Sequence, residues 1–502
     1  MEFLDPKKQR AHIIRLFIGY FLIATALILT TIILLYQARG FGIKNGQVIQ
    51  NGLIFVSSNP PAADIFVNGQ KRSEQTNVRL LMPAGPYTFE LKRDGYRTWK
   101  RAINVEGGTV ARFDYPLLFP TTVSPITKKT YTIKPRVVSQ SPDRRWIVTQ
   151  AVQEYNHFEV FDLTKSDKDP VVLTLPEATT KLIAGIHTWK FIEWSNDNSH
   201  FLLQHSTDDR GKLASEYILI DRESPEKSVN LTTVLGMNPT TLQLLDKKFN
   251  KFVLHTADDK KLYTASLDAP GPVVKLERVL SFKTYDDNKF LYATDVGAPA
   301  GKVIVSLLDG AKTYPLRQVA TADRYMLELA KYDSKWYVVA GSPAENRTYI
   351  YKNPQAALDA QPGQPLVPVQ VLKTAGPTHV SFSENTRFVM AQNDRRLAVY
   401  DAENDKGYAY EVGLPIDAPQ THAMWIDGHH LAFVSSGKSF VFDYDNTNQA
   451  ILAVADPSFD IFFDRDFKSM YTISTQLVKA ADGKDVAQFS LDRTSLRAPK
   501  DR

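Results

Sequence analysis

One pattern of strand-like segments recurs along most of the chain, and it constrains the fold more than any other feature. Each copy has a hydrophobic segment, a polar turn, a second hydrophobic segment and a third that often closes in Tyr-x-x-Asp or Phe-Asp. Short apolar runs between polar turns favour β-strands. Eight copies start at intervals of roughly 45 residues, a period typical of repeat domains. They lie at residues 137–162, 189–221, 242–267, 280–308, 326–351, 379–401, 423–443 and 461–491.

The sixth copy shows how one repeat folds. Val380 and Phe382 alternate along its first strand, and residues 383–387 form a polar turn. Residues 388–391 and 397–400 follow as the second and third strands, and a short fourth strand can come before the next copy. Four strands in about 40–50 residues are typical of a β-propeller blade, which buries its faces only against neighbouring blades.

The repeats resemble those of TolB- and WD40-like β-propellers, without the Gly-His and Trp-Asp signature. The resemblance rests on Ser-Pro-Asp at 141–143 and on related tripeptides at 195–197 and 383–385. We therefore predict an all-β fold with a propeller over residues 130–492, and eight blades are favoured. Seven blades stay open if one copy is only a ring-closing strand. Two separate sandwiches are the alternative to a ring.

A charge-free apolar segment precedes the repeats. Residues 16–36 number 21, enough at about 1.5 Å per residue to span a hydrocarbon core of about 30 Å. Four basic residues precede it, so the positive-inside rule makes residues 1–15 a cytoplasmic tail and places the later domains outside the cell membrane. A cleaved signal peptide is the alternative. Its apolar region usually covers only about 7–15 residues, however, and bulky Tyr36 stands where cleavage needs a small residue.

Residues 52–119 break into about seven short strand-like runs separated by turns such as Asn68-Gly69. This stretch resembles the PEGA domain, a small β-sandwich of prokaryotic proteins. The resemblance follows the family's order of strand, Ser-x-Pro, hairpin, Pro-x-Gly and Gly-Tyr, although the tetrapeptide that names the family is Pro-Pro-Ala-Ala at 60–63. It implies a β-sandwich with an envelope role in binding or presentation and no catalytic set. Residues 37–51, with three glycines, predict a short linker.

Composition excludes several classes of function. The chain has no cysteine, which removes thiol catalysis, disulfides, zinc–thiolate sites and iron–sulfur clusters. The 60 basic and 55 acidic residues give a net charge of +5, a surplus too small to predict a nucleic-acid partner. We also expect no cofactor.

Residues 443–448 are the closest approach to a metal-binding motif. They read Asp-Tyr-Asp-Asn-Thr-Asn, like the start of a calcium loop. Asn448 stands where the loop needs glycine, and Val454 stands where it needs glutamate. We interpret the segment as an Asp/Asn-rich turn, with a weak cation site near Asp443 left open.

Other candidate residues favour structural roles. His429 and His430 are adjacent and point in opposite directions on an extended chain, so we predict a solvated turn rather than a chelate. Five tryptophans beside blade strands predict packing between blades, with stacking on a sugar or peptide as the alternative: Trp146, Trp189, Trp194, Trp336 and Trp425. The sequence assigns no catalytic, cofactor-binding or metal-ligating residue, and it does not indicate which residues bind a ligand.

These observations predict a membrane-anchored, extracytoplasmic binding or scaffold protein of a prokaryotic cell envelope. The propeller surface would bind a protein or a glycan, and residues 493–502 would form a solvated basic tail. One alternative is a propeller enzyme acting on envelope polysaccharide or peptide, with paired carboxylates in its channel. Another is a sensor or assembly subunit that signals through its helix. Oligomeric state is not indicated.

Overall fold

A computed structural model describes residues 6–38, 40–44, 47–151, 154–479 and 483–501. The chain divides into two compact units, residues 1–121 and 122–502. The first contains an apolar helix and a small β module, and the second is built almost entirely from strands. The prediction of a mostly β protein with one apolar N-terminal helix is confirmed.

Helix α1 covers Pro6–Ala38. Its segment Arg10–Tyr36 contains an 18-residue stretch with a mean hydropathy of 2.5, and that stretch is not buried by the rest of the protein. The hydroxyls of Thr25, Thr30 and Thr31 each donate to the carbonyl four residues earlier at 2.8 Å, so these polar groups are satisfied within the helix. Length and composition allow the helix to cross a membrane, and a signal sequence would show the same properties.

Two four-stranded sheets form the β module. The strands are β1 (Phe41–Lys44), β2 (Gln47–Val56), β3 (Asp64–Val67), β4 (Gln70–Gln75), β5 (Val78–Pro83), β6 (Gly85–Lys92), β7 (Trp99–Val105) and β8 (Val110–Phe113). The first sheet has the order β1-β2-β5, with β8 parallel to β2, and the second has the order β4-β3-β6-β7. Alternation along the strands buries one face of each sheet, with Ile54 and Phe113 from the first and Ile65, Phe89 and Trp99 from the second.

The predicted linker over residues 37–51 is wrong, because strands occupy most of it. β1 pairs with the first four residues of β2, and β2 then continues into the first sheet, where it pairs with β5 and β8. The sequence between β1 and β2 is Asn45-Gly46, a dipeptide that favours a two-residue hairpin. The prediction gave more weight to the three glycines, which favour a flexible linker, than to this Asn-Gly turn signal.

The C-terminal unit contains eight four-stranded sheets among the described residues. The strands follow chain order in sheets 1 to 7, whereas a strand from the start of the unit completes sheet 8. Sheets 1 to 4 comprise β10 (Val137–Gln140), β11 (Trp146–Gln150), β12 (His157–Asp162), β13 (Val171–Thr174); β14 (Ile186–Trp194), β15 (His200–Asp209), β16 (Lys212–Asp221), β17 (Val229–Asn230); β18 (Thr241–Leu244), β19 (Lys251–Thr256), β20 (Lys261–Ser266), β21 (Val273–Leu276); β22 (Val279–Thr284), β23 (Lys289–Thr294), β24 (Lys302–Asp309) and β25 (Lys312–Ala320).

Sheets 5 to 8 comprise β26 (Met326–Tyr332), β27 (Lys335–Ser342), β28 (Arg347–Lys352), β29 (Gln370–Lys373); β30 (His379–Phe382), β31 (Phe388–Asn393), β32 (Arg396–Asp401), β33 (Lys406–Glu411); β34 (Met424–Trp425), β35 (His430–Ser435), β36 (Lys438–Asp443), β37 (Ala450–Val454); β38 (Phe462–Phe463), β39 (Ser469–Lys479), β40 (Asp485–Ser495) and β9 (Pro125–Tyr131). Two short helices, α2 (Leu231–Val234) and α3 (Pro354–Ala360), lie between strands. Single 3-10 turns cover Leu163–Lys165, Glu177–Thr179, Pro225–Lys227, Leu245–Lys247, Pro343–Glu345 and Pro499–Asp501.

Each predicted copy lies within one of these sheets and supplies its first three strands or most of them. Consecutive sheets share hydrophobic clusters, such as the one in which Phe158 of sheet 1 meets Phe201 of sheet 2. The eighth sheet packs against the first, where Tyr131 and Phe462 join Ile147. Large buried side chains therefore lie between the sheets.

Pairs between a basic residue and an aspartate explain why many copies end in aspartate. In several sheets a basic residue near the start of the second strand meets an aspartate at the end of the third. The pairs are Arg145–Asp162 at 2.9 Å, His200–Asp221 at 3.6 Å, Lys289–Asp309 at 2.5 Å, Arg387–Asp401 at 2.7 Å and His430–Asp443 at 3.4 Å. Each pair ties the first turn of a sheet to its third strand, so these aspartates have structural roles.

Both ends of the second unit differ from the sequence prediction. β9 begins at Pro125, before the predicted boundary at 130, and pairs with β40 to complete sheet 8. The predicted solvated tail over residues 493–502 is wrong at its start. Arg493 donates to Ser469 at 2.9 Å and to Ser166 at 2.8 Å, and Leu496 is buried. Apolar residues between the basic ones hold this segment against the sheet.

Candidate functional site

Two cavities lie at the C-terminal ends of the first strands of the sheets. The first, of about 250 Å³, is lined by sheets 1, 6, 7 and 8, and the second, of about 220 Å³, by sheets 2, 3 and 4. The first includes residues 139–142, 424–426 and 460–463, and the second includes 192–193, 243–244, 246–247 and 283–285. Loops and strand ends that converge from several sheets are a common setting for ligand binding.

Arg144 connects all four sheets around the first cavity. Its Nη2 donates to Glu384 Oε2 at 2.5 Å and to the carbonyl of Ile426 at 2.5 Å. Its guanidinium also lies 4.8 Å from the ring centre of Phe467. The Arg144 side chain is only 16% exposed, so packing fixes the positive charge at the cavity wall.

Asp460 and Trp425 contribute two further polar groups to the first cavity. The Asp460 side chain is accessible to water, yet the protein around it raises the pKa of its carboxyl group by disfavouring the charged form. Trp425 Nε1 is buried and has no hydrogen-bond acceptor among the described residues. Buried N–H groups are usually satisfied, so this wall carries a donor that a ligand acceptor could satisfy.

Ion pairs connect neighbouring sheets at the second cavity, and each pair includes at least one residue that lines it. Glu193 of sheet 2 accepts from Lys247 Nζ and from the backbone of Leu244 in sheet 3. Lys283 Nζ of sheet 4 lies 2.7 Å from Glu328 Oε1 of sheet 5. Burial raises the pKa of Glu328, and the Lys283 charge opposes that rise. A lysine of the next or preceding sheet thus accompanies each of these acids.

Two stacked histidines lie at the other ends of the first strands. His379 begins β30, His422 precedes β34, and their ring centres are 3.7 Å apart. Burial, together with the His422 and Lys283 charges, lowers the pKa of His379 to about 3, and burial lowers the pKa of His422. Both rings are therefore neutral near pH 7 and offer polar nitrogen atoms without charge.

A buried polar chain lies where sheets 1 and 2 meet. His187 Nδ1 is 2.9 Å from His205 Nε2, and His205 Nδ1 is 2.8 Å from Glu216 Oε1. Glu216 also accepts from Asn230 at 2.7 Å, and the Tyr155 ring stacks on His187 at 4.0 Å. Burial acts against the charged carboxylate, but its hydrogen-bond donors prevail and lower the pKa of Glu216. These side chains connect sheets 1 and 2 through hydrogen bonds and ring stacking. They lie too far apart in sequence for a local motif to predict the cluster.

His429 and His430 do not form the predicted solvated turn. His430 is 1% exposed, and its Nδ1 lies 2.7 Å from Asp427 Oδ2. Burial opposes its charge, but Asp427 and Asp443 raise the pKa of His430 to about 9, whereas burial lowers the pKa of His429 to about 3. The spacing of Asp427 and His430 repeats that of Asp197 and His200 in sheet 2, a parallel that could have revealed this pairing.

The segment 443–448 is a turn held by its own groups. The Asp443 amide donates to the Thr447 carbonyl at 2.9 Å, and Asn448 Nδ2 donates to Asp443 Oδ2 at 2.8 Å. Thr447 Oγ1 donates to Asp445 at 2.7 Å. Within the described ranges, no group of three or more His, Asp or Glu side chains is arranged to hold a metal ion.

The tryptophans divide between packing and cavity positions. Trp189 and Trp194 are buried, and their Nε1 atoms donate to Tyr155 O at 2.8 Å and Ser139 Oγ at 3.1 Å. Trp146 lies 3.9 Å from the Arg222 guanidinium, and Trp336 packs edge-on against Tyr285. Trp425 lines the first cavity. The sequence did not distinguish it from the other four, because its position depends on sheets that are distant in sequence.

A comparison with family models identifies the β module. Residues 51–118 match the PEGA domain. The match covers the two packed sheets from the middle of β2 onward, including the hairpins and the buried strands that carried the resemblance. The match identifies the fold of the β module, and it does not indicate what the chain binds. No curated protein matches the chain.

Several solved structures show distant similarity. An oligogalacturonate lyase in complex with manganese is 13% identical, with 73% of this chain and 98% of that chain covered and a TM-score of 0.39. A eukaryotic initiation factor is 14% identical, with 67% and 93% covered and a TM-score of 0.38. Hsv2 from Kluyvelomyces marxianus is 10% identical, with 72% and 99% covered and a TM-score of 0.36. These TM-scores are too low to support an argument about blade number or function.

Proposed function

We propose that the protein is a single-pass, membrane-anchored binding protein of a prokaryotic cell envelope. In this proposal α1 is the uncleaved anchor, with residues 1–15 in the cytoplasm and the PEGA domain and C-terminal unit outside. The length and hydropathy of Arg10–Tyr36 support the anchor, and the preceding basic residues support the orientation.

We further propose that the C-terminal unit is an eight-bladed propeller of the TolB/WD40-like kind. The succession of eight sheets supports this arrangement, as does the packing of sheet 8 against sheet 1. The pairing of β9 with β40 also supports it, because a strand from the start of the unit then completes the last blade. Such a closure joins the two ends of a ring by strand pairing.

The two cavities at the C-terminal ends of the first strands are the observation that carries the binding function. In a ring these ends meet at one mouth, where Arg144, Asp460 and Trp425 present a positive charge, a carboxyl group and an indole N–H. We propose that a protein or glycan of the envelope binds there, because fixed polar groups beside aromatic surfaces suit either ligand.

Photo-crosslinking in membranes of the native host tests the binding proposal. A photoreactive amino acid replaces Met424 in the first cavity or Gln243 in the second, each in the full chain. Matched controls carry it at Val171 and Val273, exposed residues on outer strands. We expect a discrete crosslinked species from positions 424 and 243 and none from 171 and 273. Equal crosslinking at all four positions, or none at the cavity positions, would contradict binding at this mouth.

A further inference from the structure

The outward face of the first PEGA sheet combines apolar and cationic side chains. Leu53 of β2 pairs with Leu81 of β5 and with Val110 of β8, forming an apolar row across three strands. Leu81 is 58% exposed and Val110 is 55% exposed. Exposed aliphatic side chains that adjoin one another across a sheet suit an interaction surface.

A second row lies two residues further along β2. Phe55 pairs with Arg79 on β5 and Arg112 on β8. The two guanidinium carbons are 5.2 Å and 4.5 Å from the Phe55 ring centre. Neither arginine makes an ion pair within the described part of the chain, so both positive charges are available to a partner. We call the two rows together the Arg–Phe–Arg face.

The outer face of the second PEGA sheet differs. There Glu90 lies between Lys92 at 2.7 Å and Lys100 at 3.1 Å, and Lys71 pairs with Asp64 at 2.7 Å. These charges are largely neutralised by their neighbours. Arginines without an ion pair, placed beside an aromatic ring, therefore distinguish the Arg–Phe–Arg face from the outer face of the second sheet.

We propose that the Arg–Phe–Arg face docks on the anionic phospholipid headgroups of the membrane that holds α1. The two arginines would bind phosphate groups, while Phe55 and the apolar row would enter the headgroup boundary. The membrane is the expected partner because the connection between α1 and the PEGA domain is short. Eight residues separate Ala38, the end of α1, from Gln47, the start of β2, and they span at most about 30 Å. This inference rests on the anchoring part of the proposed function.

Fluorescence quenching in nanodiscs tests the docking. The full chain is reconstituted in discs of phosphatidylcholine alone or mixed with phosphatidylglycerol, whose lipids carry a nitroxide quencher near the headgroup. Since the chain has no cysteine, Thr109→Cys places one fluorophore beside the apolar row. Ser73→Cys places one on β4 of the second sheet as the control. We expect quenching at position 109 in the anionic discs, and little at position 73.

Arg79→Gln with Arg112→Gln supplies the decisive comparison. Two basic side chains, each contributing about fivefold at an anionic surface, predict a loss of about 25-fold in the ratio of docked to undocked protein. Arg72→Gln with Arg97→Gln removes the same charge from exposed positions elsewhere in the PEGA domain and should retain the quenching. Equal losses in both double variants would overturn the proposal, as would quenching independent of phosphatidylglycerol.

Co-elution with the discs separates this test from that of the anchor. A chain that stays with the discs but shows no quenching at position 109 is anchored and not docked, which rejects the docking alone. A chain that leaves the discs rejects the anchor, and the docking proposal falls with it. A protein partner on this face would give a crosslinked species in host membranes and no dependence on lipid charge.

Discussion

At the scale of single residues, the clearest feature is the buried imidazole of His430 between Asp427 and Asp443. The sequence predicted a solvated turn there, because adjacent histidines after Asp-Gly resemble a loop. The sequence did not reveal the register of the third strand, which places Asp443 opposite His430. The turns could be predicted from local sequence, whereas the pairs between a basic residue and an aspartate in several sheets depend on strand register.

His430→Gln should lower the free energy of unfolding by about 3–5 kcal/mol near pH 6, because it leaves buried carboxylates without their cation. His200→Gln, at the corresponding position of sheet 2, should cost less, since its side chain is 18% exposed. Chemical denaturation followed by tryptophan fluorescence measures both changes. Equal, small losses in the two variants would show that the buried imidazole carries no net charge.

The same pair predicts a specific pH dependence. The pKa of His430 is about 9 in the folded protein and about 6.5 when unfolded. Its stabilising effect is therefore complete below about pH 6.5 and is lost as the pH rises through about 9. The difference in unfolding free energy between the wild type and His430→Gln should shrink across that range. A difference that is constant from pH 6 to 10, or that grows with pH, would contradict the assignment.

At the scale of elements, the repeat pattern predicted most strands of the C-terminal unit, because each copy contains its own turns and alternating segments. Elements that need a distant partner were missed. β9 has a polar, mostly exposed sequence, and only its pairing with β40 makes it part of a sheet. The β1–β2 hairpin was missed for a different reason, since glycine content was given more weight than the Asn-Gly turn signal.

The pairing of β9 can be tested with one hydroxyl group. Thr127 Oγ1 donates to Asp492 Oδ1 at 2.9 Å, and Asp492 is 5% exposed. Thr127→Val keeps the shape and the strand preference but removes this bond, so it should destabilise the C-terminal unit by about 1 kcal/mol. Thr130→Val, an exposed position on the same strand, should change stability much less. Thermal unfolding that shifts equally in both variants would argue against the closure.

At the scale of the whole molecule, the chain divides into a unit that contains α1 and the PEGA domain and a C-terminal unit built from strands. Hydropathy located α1, and the PEGA pattern located the small sandwich, because both signals are contained in contiguous sequence. The cavities could not be located in this way. Their walls combine residues such as Arg144 and Glu384, which are 240 positions apart, and only the succession of sheets brings them together.

The absence of native cysteine makes the proposed topology directly measurable. Any single introduced cysteine is a unique label site, so Glu2→Cys and Asp268→Cys report on the two ends of the proposed arrangement. A membrane-impermeant maleimide should label position 268 in intact spheroplasts and position 2 only after lysis, because the basic residues before α1 favour the cytoplasmic side. An N-terminal tag should also remain with the membrane fraction. Loss of the tag with secretion of the remainder would instead identify α1 as a cleaved signal, and labelling of position 2 in intact spheroplasts would reverse the orientation.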